Sequence, residues 1–435
     1  MSRQEDFSTE SAERIPDPRP AEKGRERMER ARNIVKEGGY DKAIAILKEE
    51  GLLETVIQET KKKYLEEDSP HYESGLASAK FLTDEDWQLI ASMDIFDPET
   101  VEHEIRVFNL AHDHLEKAAF VPVKKKNVEG NEYEAGYGLS LDEVFEHEGV
   151  LKEHFLRAAL HHDIGKMDVP PSVLMNRTTD EDWKHIISLR IGLGDASLSQ
   201  TLSETLGVDA DQMFQGSEGR ADFEEKIAAL MKEKNFRAKD IIPLRYALSE
   251  READELAEKG FPPDSTLADI IRVHEERSGD ILRKAGFATE AELAENHHNY
   301  RAHDLRDSKD INKPISIGTL VLNVCLADVL HIADVEQAMQ AKRAYKRALG
   351  PFETWSTICE LAEQGKVSKE AAYLWIKAEI DEKGKEAYAN TKEEQPGRQE
   401  HVERFLLAEE DAVWKNLDEL GYGAGSGKEK GRKSD

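Results

Sequence analysis

Cysteine is nearly absent from this 435-residue chain, with Cys325 and Cys359 the only two. That excludes a disulfide framework and leaves the chemistry to other side chains. Long apolar runs are missing as well. No stretch reaches the roughly 18 residues that span a bilayer, and the N-terminus, MSRQEDFSTESAERIPDPRPAEKGRERMERAR, has no apolar signal-peptide region. The expected location is the cytoplasm, with no membrane partner. Positive charge is the third shortage: 60 Lys and Arg stand against 89 Asp and Glu, a formal charge of −29. Nucleic-acid binding needs a positive footprint, so DNA and RNA are not expected partners. A small anionic substrate would also be repelled unless bound cations reversed the field locally. Bound metal is therefore expected before any motif is considered.

What is present is mostly helical sequence. The first thirty or so residues are polar and Pro-containing, and read as disordered. Helical spacing of apolar residues then runs from about Met28 to Glu66, broken at the Gly pair that ends ARNIVKEGG. Thr83 and the acids after it read as the start of helix LTDEDWQLIASM, and DPETVEHEIRVFNLAHDHLEKAAF follows with Pro98 suited to its first turn. A polar loop is expected from about Lys124 to Gly138. The helix LDEVFEHEGVLKEHFLRAALHHDIG then stops at Gly165. Residues 178–263 are charged and helical in rhythm. Helix TLADIIRVHEERSGDILRKAGF comes next, then AELAENHHNY. The most hydrophobic segment, ISIGTLVLNVCLADVLHIADVEQAM, is read as one apolar helix. Two more helical segments follow, FETWSTICELAEQG and SKEAAYLWIKAEI, before a Gly-rich, flexible tail. No repeat and almost no strand alternation are visible, so the expected fold class is all-α.

A His-Asp dipeptide occurs three times, at His112–Asp113, His162–Asp163 and His303–Asp304. The second differs in its setting. It closes an apolar helix in AALHHDIGKMDVPPS, a Gly stops that helix at once, and Lys166 sits three residues beyond Asp163. Adjacent imidazole and carboxylate ligands can address one divalent metal and bridge to a second. A His that merely answers the helix macrodipole is the plainer reading. Asp328 lies on an apolar stripe with Val321, Val324, Cys325 and Ile332, where a carboxylate is costly to bury without a cation or donors. Its partner is a metal or an internal Arg. His103 shares a face with Val107, Leu110 and His114, and Glu99 falls four residues before it. The commoner fate of such a residue is that of a single satisfied core histidine. His297 and His298 diverge by about 100° on a helix and could serve different metals, or form a solvated pair. His274 follows three apolar residues and could equally be an ordinary boundary residue.

Taken in order, these residues resemble the HD-GYP branch of the HD phosphohydrolase superfamily over roughly Asp94 to Ala378. HEIRVFNLA resembles its first motif and LHHDIGKMDVPPSVL its signature. HEERSGDIL, the paired His297–His298 and LNVCLADVLHIADVEQAMQAKRAYKRAL resemble the elements that follow. The resemblance implies two or three divalent ions, iron or manganese, held by His103, His162, Asp163, His274, His297, His298 and Asp328, with Asp163 bridging. Glu99 stands where some members add a third ion. Arg343 and Lys346 resemble residues that hold substrate phosphates, although the segment between them and Asp328 is several residues longer than in the family. The implied organisation is a disordered start and helical region (1–85), a domain over 86–382 with a helical insertion at about 178–268, and a C-terminal helix with a flexible tail (383–435).

The expected activity is phosphoester hydrolysis of a small anionic phosphoester or nucleotide. A hydroxide bridging two ions would be the nucleophile, and Lys166 would neutralise growing phosphoryl charge. Cyclic dinucleotide hydrolysis is a narrower expectation, because HHNYRAHDLRD lacks the Gly-Tyr-Pro loop with which the family recognises cyclic di-GMP. One alternative is a non-catalytic signalling or scaffold protein with the HD fold, although retention of every ligand position argues against it. Another is a nucleotide hydrolase of the wider superfamily. The helical extensions are compatible with a homodimer.

Overall fold

The structure is a computed structural model that describes residues 19–117, 123–126, 132–135, 152–174, 178–234, 236–298, 315–317, 320–322, 326–341, 349–390 and 396–419. It is predominantly helical. The first half runs α1 (Arg19–Glu49), α2 (Leu53–Leu65), α3 (Ser74–Ser78), α4 (Asp84–Phe96), α5 (Pro98–Lys117) and α6 (Lys152–His161). A 3₁₀ turn, Ile164–Asp168, leads to α7 (Pro171–Leu174), α8 (Asp180–Gly192), α9 (Ala196–Leu206) and α10 (Ala210–Gln215). Then come α11 (Arg220–Glu233), α12 (Ala238–Ile241) and α13 (Glu250–Glu258). The remaining helices are α14 (Leu267–Lys284), α15 (Ala288–Ala294), α16 (Leu326–Gln340), α17 (Pro351–Glu363), α18 (Lys369–Asn390) and α19 (Pro396–Glu419).

Local signals explain many of these boundaries. Thr83 and Asp86 form a reciprocal capping box at the start of α4, and Thr266 and Asp269 form another at α14. Pro98 opens α5, where its missing N–H costs nothing. Three expectations need correction. Helix α1 begins at Arg19, inside the stretch read as disordered, and it kinks at Gly39 instead of ending. Residues in the loop expected from Lys124 form an antiparallel hairpin, β1 (Val123–Lys126) with β2 (Glu132–Ala135). The segment read as one apolar helix begins as a second hairpin, β3 (Ile315–Ile317) with β4 (Leu320–Leu322), and turns helical only at Leu326. The register pairs Ile315 with Leu322, Ser316 with Val321 and Ile317 with Leu320, and β-branched Ile315, Ile317 and Val321 suit strands.

Two separate cores hold the molecule together. The larger one joins the N-terminal helices, α4–α6 and the C-terminal helices, through residues such as Tyr64, Phe108, Phe155, Trp355, Trp375 and Phe405. The smaller lies around Trp183, Ile187, Leu202, Phe223 and Ile227. Helix α14 belongs to both, with Ile270 in the small core and Ile281 and Leu282 in the large one. The 3₁₀ turn lies at this seam. Its Met167 packs in the large core and Val169 in the small.

Two glycines make the seam. At Gly39 the backbone takes φ 68°, and a Cβ there would stand 2.6 Å from Asp168 Oδ1, which accepts the neighbouring Tyr40 N–H at 2.9 Å. At Gly165 a Cβ would stand 2.1 Å from the His274 carbonyl oxygen. Only glycine lets the turn close on α14, where Gly165 N–H donates to Ser278 Oγ at 2.9 Å.

Candidate metal centre

Helix α5, the turn after α6, the middle of α14, the end of α15 and helix α16 converge on one buried group. Helix α5 contributes His103, the turn His162 and Asp163, α14 His274, and the residues just past α15 His297 and His298. All are buried except His298, which is partly exposed. Asp163 is at the middle. Its Oδ1 lies 3.1 Å from His274 Nε2 and 3.9 Å from His297 Nε2. Its Oδ2 lies 3.6 Å from His162 Nε2 and 3.7 Å from His103 Nε2, and Lys166 donates to the same oxygen.

The helix α16 carboxylate in the group is Asp334. Its Oδ1 lies 2.8 Å from His103 Nε2 and 3.9 Å from His162 Nε2, and its Oδ2 lies 3.9 Å from His298 Nε2. Asp328 is buried on the same helix but belongs to none of the metal-sized clusters among the described residues. The stripe that singled it out assumed a helix through Val321, which lies in β4. The sequence holds a second Ala-Asp pair on this helix, Ala333–Asp334, six residues beyond Ala327–Asp328. Arg343 and Lys346 lie outside the described residues. Glu99 is exposed in the first turn of α5 and does not join the group. Spacing gave its helix face but not the depth of that turn.

Sequence reasoning missed four further residues here. Gln337 accepts a hydrogen bond from His103 Nδ1. Buried Glu104 accepts the Asp163 backbone N–H at 3.3 Å. His331 is buried on α16 with its Nδ1 3.2 Å from His298 Nδ1. Glu275 is partly buried beside His274. Gln337, Glu104 and His331 have no local motif, because their partners come from distant parts of the chain.

Tautomers are set by the ring nitrogens that point away from the centre. His162 Nδ1 donates to Ala159 O at 2.9 Å, His297 Nδ1 to Ala294 O at 2.6 Å, and His274 Nδ1 to Ile271 O. With His103 bound to Gln337, four Nε2 atoms face inward towards the carboxylates, where a metal ion could replace a proton.

Charge states also suit a cation. Burial opposes ionisation of Asp163, yet Lys166 and His162 hold its carboxyl well below the usual range. Asp334 behaves alike, burial being overcome by His103 and His162. Burial pushes His297 far down and His298 down to about 3, which keeps both neutral. His162 goes the other way: burial is outweighed by Asp163 and Asp334, which lift it to about 9. Burial pushes Glu104 up to about 8 and Glu275 up to about 7.

The donor set fits divalent metal on one further observation. His162 Nε2 is buried, faces two carboxylates, and has no hydrogen-bond partner among the described residues. Its 3.6 and 3.9 Å separations from them are too long for hydrogen bonds. They suit atoms that share one ion at about 2.1 Å each, which stand roughly 3 to 4 Å apart. Three groups of ligand atoms of this size overlap here: His103–His162–Asp163, His274–His297–His298 and His298–His331–Asp334.

A fourth group, His114–Glu336–Glu379, lies further along α5 and α16. There His114 is 2.8 Å from Glu379 Oε1 and stacked on Trp375 at 3.6 Å, while Trp375 and Gln340 donate to Glu336. His114 and Glu379 are tied to each other, and Glu336 to Trp375 and Gln340.

No helix among the described residues is long and apolar enough to cross a membrane. Neither a protein-family model, a curated protein nor a solved structure matches this chain.

Proposed function

We propose that this protein is a metal-dependent phosphoester hydrolase with the architecture of the HD superfamily, closest in its motifs to the HD-GYP branch. What carries the reading is the Asp163 carboxylate, whose two oxygens face two different pairs of histidines while Lys166 holds one of them. A carboxylate so divided is the ligand two adjacent cations share, and iron or manganese suits the imidazole and oxygen donors. When bound, such ions lower the pKa of water and polarise phosphoryl oxygens.

The chain's own residues supply the rest. His103, His162, His274 and His297 present Nε2 because their Nδ1 hydrogens are taken, so the site needs little rearrangement to bind. Glu104 fixes the peptide of Asp163 and thus the direction of its carboxylate. Lys166 keeps its proton, since Asp163 outweighs the burial that would remove it. Its ammonium is placed to neutralise charge on a phosphoryl oxygen next to Asp163, an effect worth about 10²–10³ in rate at a preorganised site. A formal charge of −29 otherwise repels a phosphate, so substrate capture rests on the cations and this lysine. Cyclic dinucleotides are the first substrates to try.

The test is to purify the full chain anaerobically, measure bound iron and manganese by mass spectrometry, and assay bis(p-nitrophenyl) phosphate, cyclic dinucleotides and nucleotides. Bound metal with hydrolysis of any of these supports the reading. A chain that takes up metal yet turns over none of them is a binding protein, and the hydrolase reading fails.

A further inference from the structure

Four of the five inward histidines give their Nδ1 to an oxygen: a backbone carbonyl for His162, His274 and His297, and Gln337 for His103. A carbonyl oxygen only accepts, so it commits the ring to a proton on Nδ1. His298 is the exception. Its Nδ1 lies 3.2 Å from another imidazole nitrogen, His331 Nδ1. One of the two must donate and the other accept, which allows two arrangements with the same number of protons. In the first, His298 donates from Nδ1, and its Nε2, 3.9 Å from Asp334 Oδ2, can take an ion. In the second, His331 donates and the His298 proton occupies Nε2, the ligand position.

Helix α16 holds both edges of the His298 ring, with His331 at Nδ1 and Asp334 on the Nε2 side. The pattern repeats along that helix. Asp334 lies three residues from His331 and three from Gln337. Gln337 accepts from Nδ1 of His103, whose Nε2 is 2.8 Å from the other oxygen of Asp334. The carboxylate is thus flanked on its own helix by one partner for a histidine at each of its oxygens. His298 has the greater need of such a partner. Its side chain is 29% exposed, against 10% or less for the other four, so packing does least to fix it.

Building on the metal-centre reading above, we propose that His331 is a positioning residue: it accepts the Nδ1 proton of His298 and so keeps Nε2 of that ring for the metal centre. His331 binds no ion itself. It does for His298 what Gln337 does for His103, with the difference that an imidazole partner can also be reversed.

The experiment compares wild type, His331→Asn and His331→Leu as full chains. Each is stripped of metal and titrated with manganese(II) in competition with a metal-sensitive dye. Asn offers an acceptor oxygen, whereas Leu fills the space without one. All three are expected to bind the same number of ions. The weakest-bound ion should lose about 10–100-fold in affinity in the Leu variant, and Asn should restore it to within a few-fold of wild type. An undiminished affinity in Leu, or a loss in Asn as large as in Leu, overturns the proposal, and so does a smaller ion count in Asn. Thermal unfolding of the metal-free chains shows whether the variants fold. If Leu does not, nitrogen-15 NMR of zinc-loaded wild type decides, with the His298 signal identified by its loss in His298→Asn. A proton on His298 Nδ1 is expected, and one on Nε2 overturns the proposal. Metal bound by wild type with no effect at His331 leaves the metal-centre reading intact, whereas a wild type that binds none overturns both.

Discussion

His161 and His162 are neighbours in the chain, yet they enter two different kinds of buried polar network. His161 Nε2 lies 3.0 Å from Asp86 Oδ1, and Asp86 also takes Arg157 Nε at 3.0 and 3.2 Å. Arg157 continues to Glu290 at 2.8 Å and to the Phe81 carbonyl at 2.9 Å, and its guanidinium lies 4.8 Å from the centre of the Phe287 ring. Each carboxylate there has an arginine, and the network closes on itself. One helical step on, His162 faces Asp163 and Asp334, whose partners are histidines and a single lysine. Permanent cations close the first network. In the second, imidazole nitrogens that can exchange a proton for a metal converge on the carboxylates, leaving a place that a metal ion can fill. Buried carboxylates alone do not mark a metal site. The kind of cation provided for them does.

The contrast predicts opposite consequences for two substitutions. Arg157→Ala strands Asp86 and Glu290 in the core and is expected to cost about 3–5 kcal/mol of stability. Whatever fraction folds should keep its metal, because no ligand has moved. Asp163→Ala should do the reverse. It removes the shared carboxylate, so bound metal drops towards zero, while the metal-free fold loses far less than the Arg157 variant. Denaturant unfolding beside metal analysis checks both. If Arg157→Ala sheds metal as completely as Asp163→Ala, the two networks are one.

The pH dependence should divide along the same line. Burial would raise the Asp86 carboxyl, but His161 and Arg157 hold it below its ordinary value. Its contribution is therefore present above the carboxylate range and lost as pH falls through the lowered value. His162 is raised from 6.5 to about 9 despite burial. In metal-free protein its contribution is complete below about pH 6.5 and disappears as pH rises towards 9. The alkaline loss should vanish once metal replaces that proton, and metal affinity should climb over the same interval. Chemical denaturation of metal-free and metal-loaded protein from pH 5 to 9.5 reads it out. An alkaline loss that persists with metal bound would show that His162 is not a ligand.

A smaller effect is expected at the seam. In Gly165→Ala the added carbon would stand 2.1 Å from the His274 carbonyl oxygen and 2.5 Å from Ser278 N, both fixed backbone atoms. The turn must move off α14, at about 1–3 kcal/mol. Because α14 carries His274 and the turn carries His162 and Asp163, metal affinity should weaken along with stability. The Arg157 variant should show only the stability loss.

Short-range features of this site were legible in the sequence, and long-range ones were not. His103, His162, Asp163, His274, His297 and His298 converge, and each sits in a local pattern of helix faces or adjacent residues. The choice between Asp328 and Asp334 depended on where the helix begins, and the pairing of β3 with β4 ahead of α16 had no clear signal in the sequence. Helical rhythm located most of the helices, but apolar β-branched residues read equally well as strand or helix. His331 and Gln337 had no signal at all, since their roles come from partners 33 and 234 residues away. The two cores were hidden for the same reason: periodicity shows which face is buried but not against which neighbour.

The subtlest difference between the networks lies in how their histidines are oriented. His161 is oriented by a carboxylate, Asp86, and His103 by a neutral amide, Gln337. An amide acceptor fixes the ring without adding charge, so Gln337→Ala should weaken metal binding about 10–100-fold while changing stability by about 1 kcal/mol. Gln337→Glu tests the reason. It keeps an acceptor opposite His103 Nδ1 and makes the imidazole more basic, so affinity should hold or rise. Competition titration with a metal-sensitive dye compares the two. An equal loss in both would mean that the neutral amide itself is required and that an acceptor opposite His103 Nδ1 is not enough.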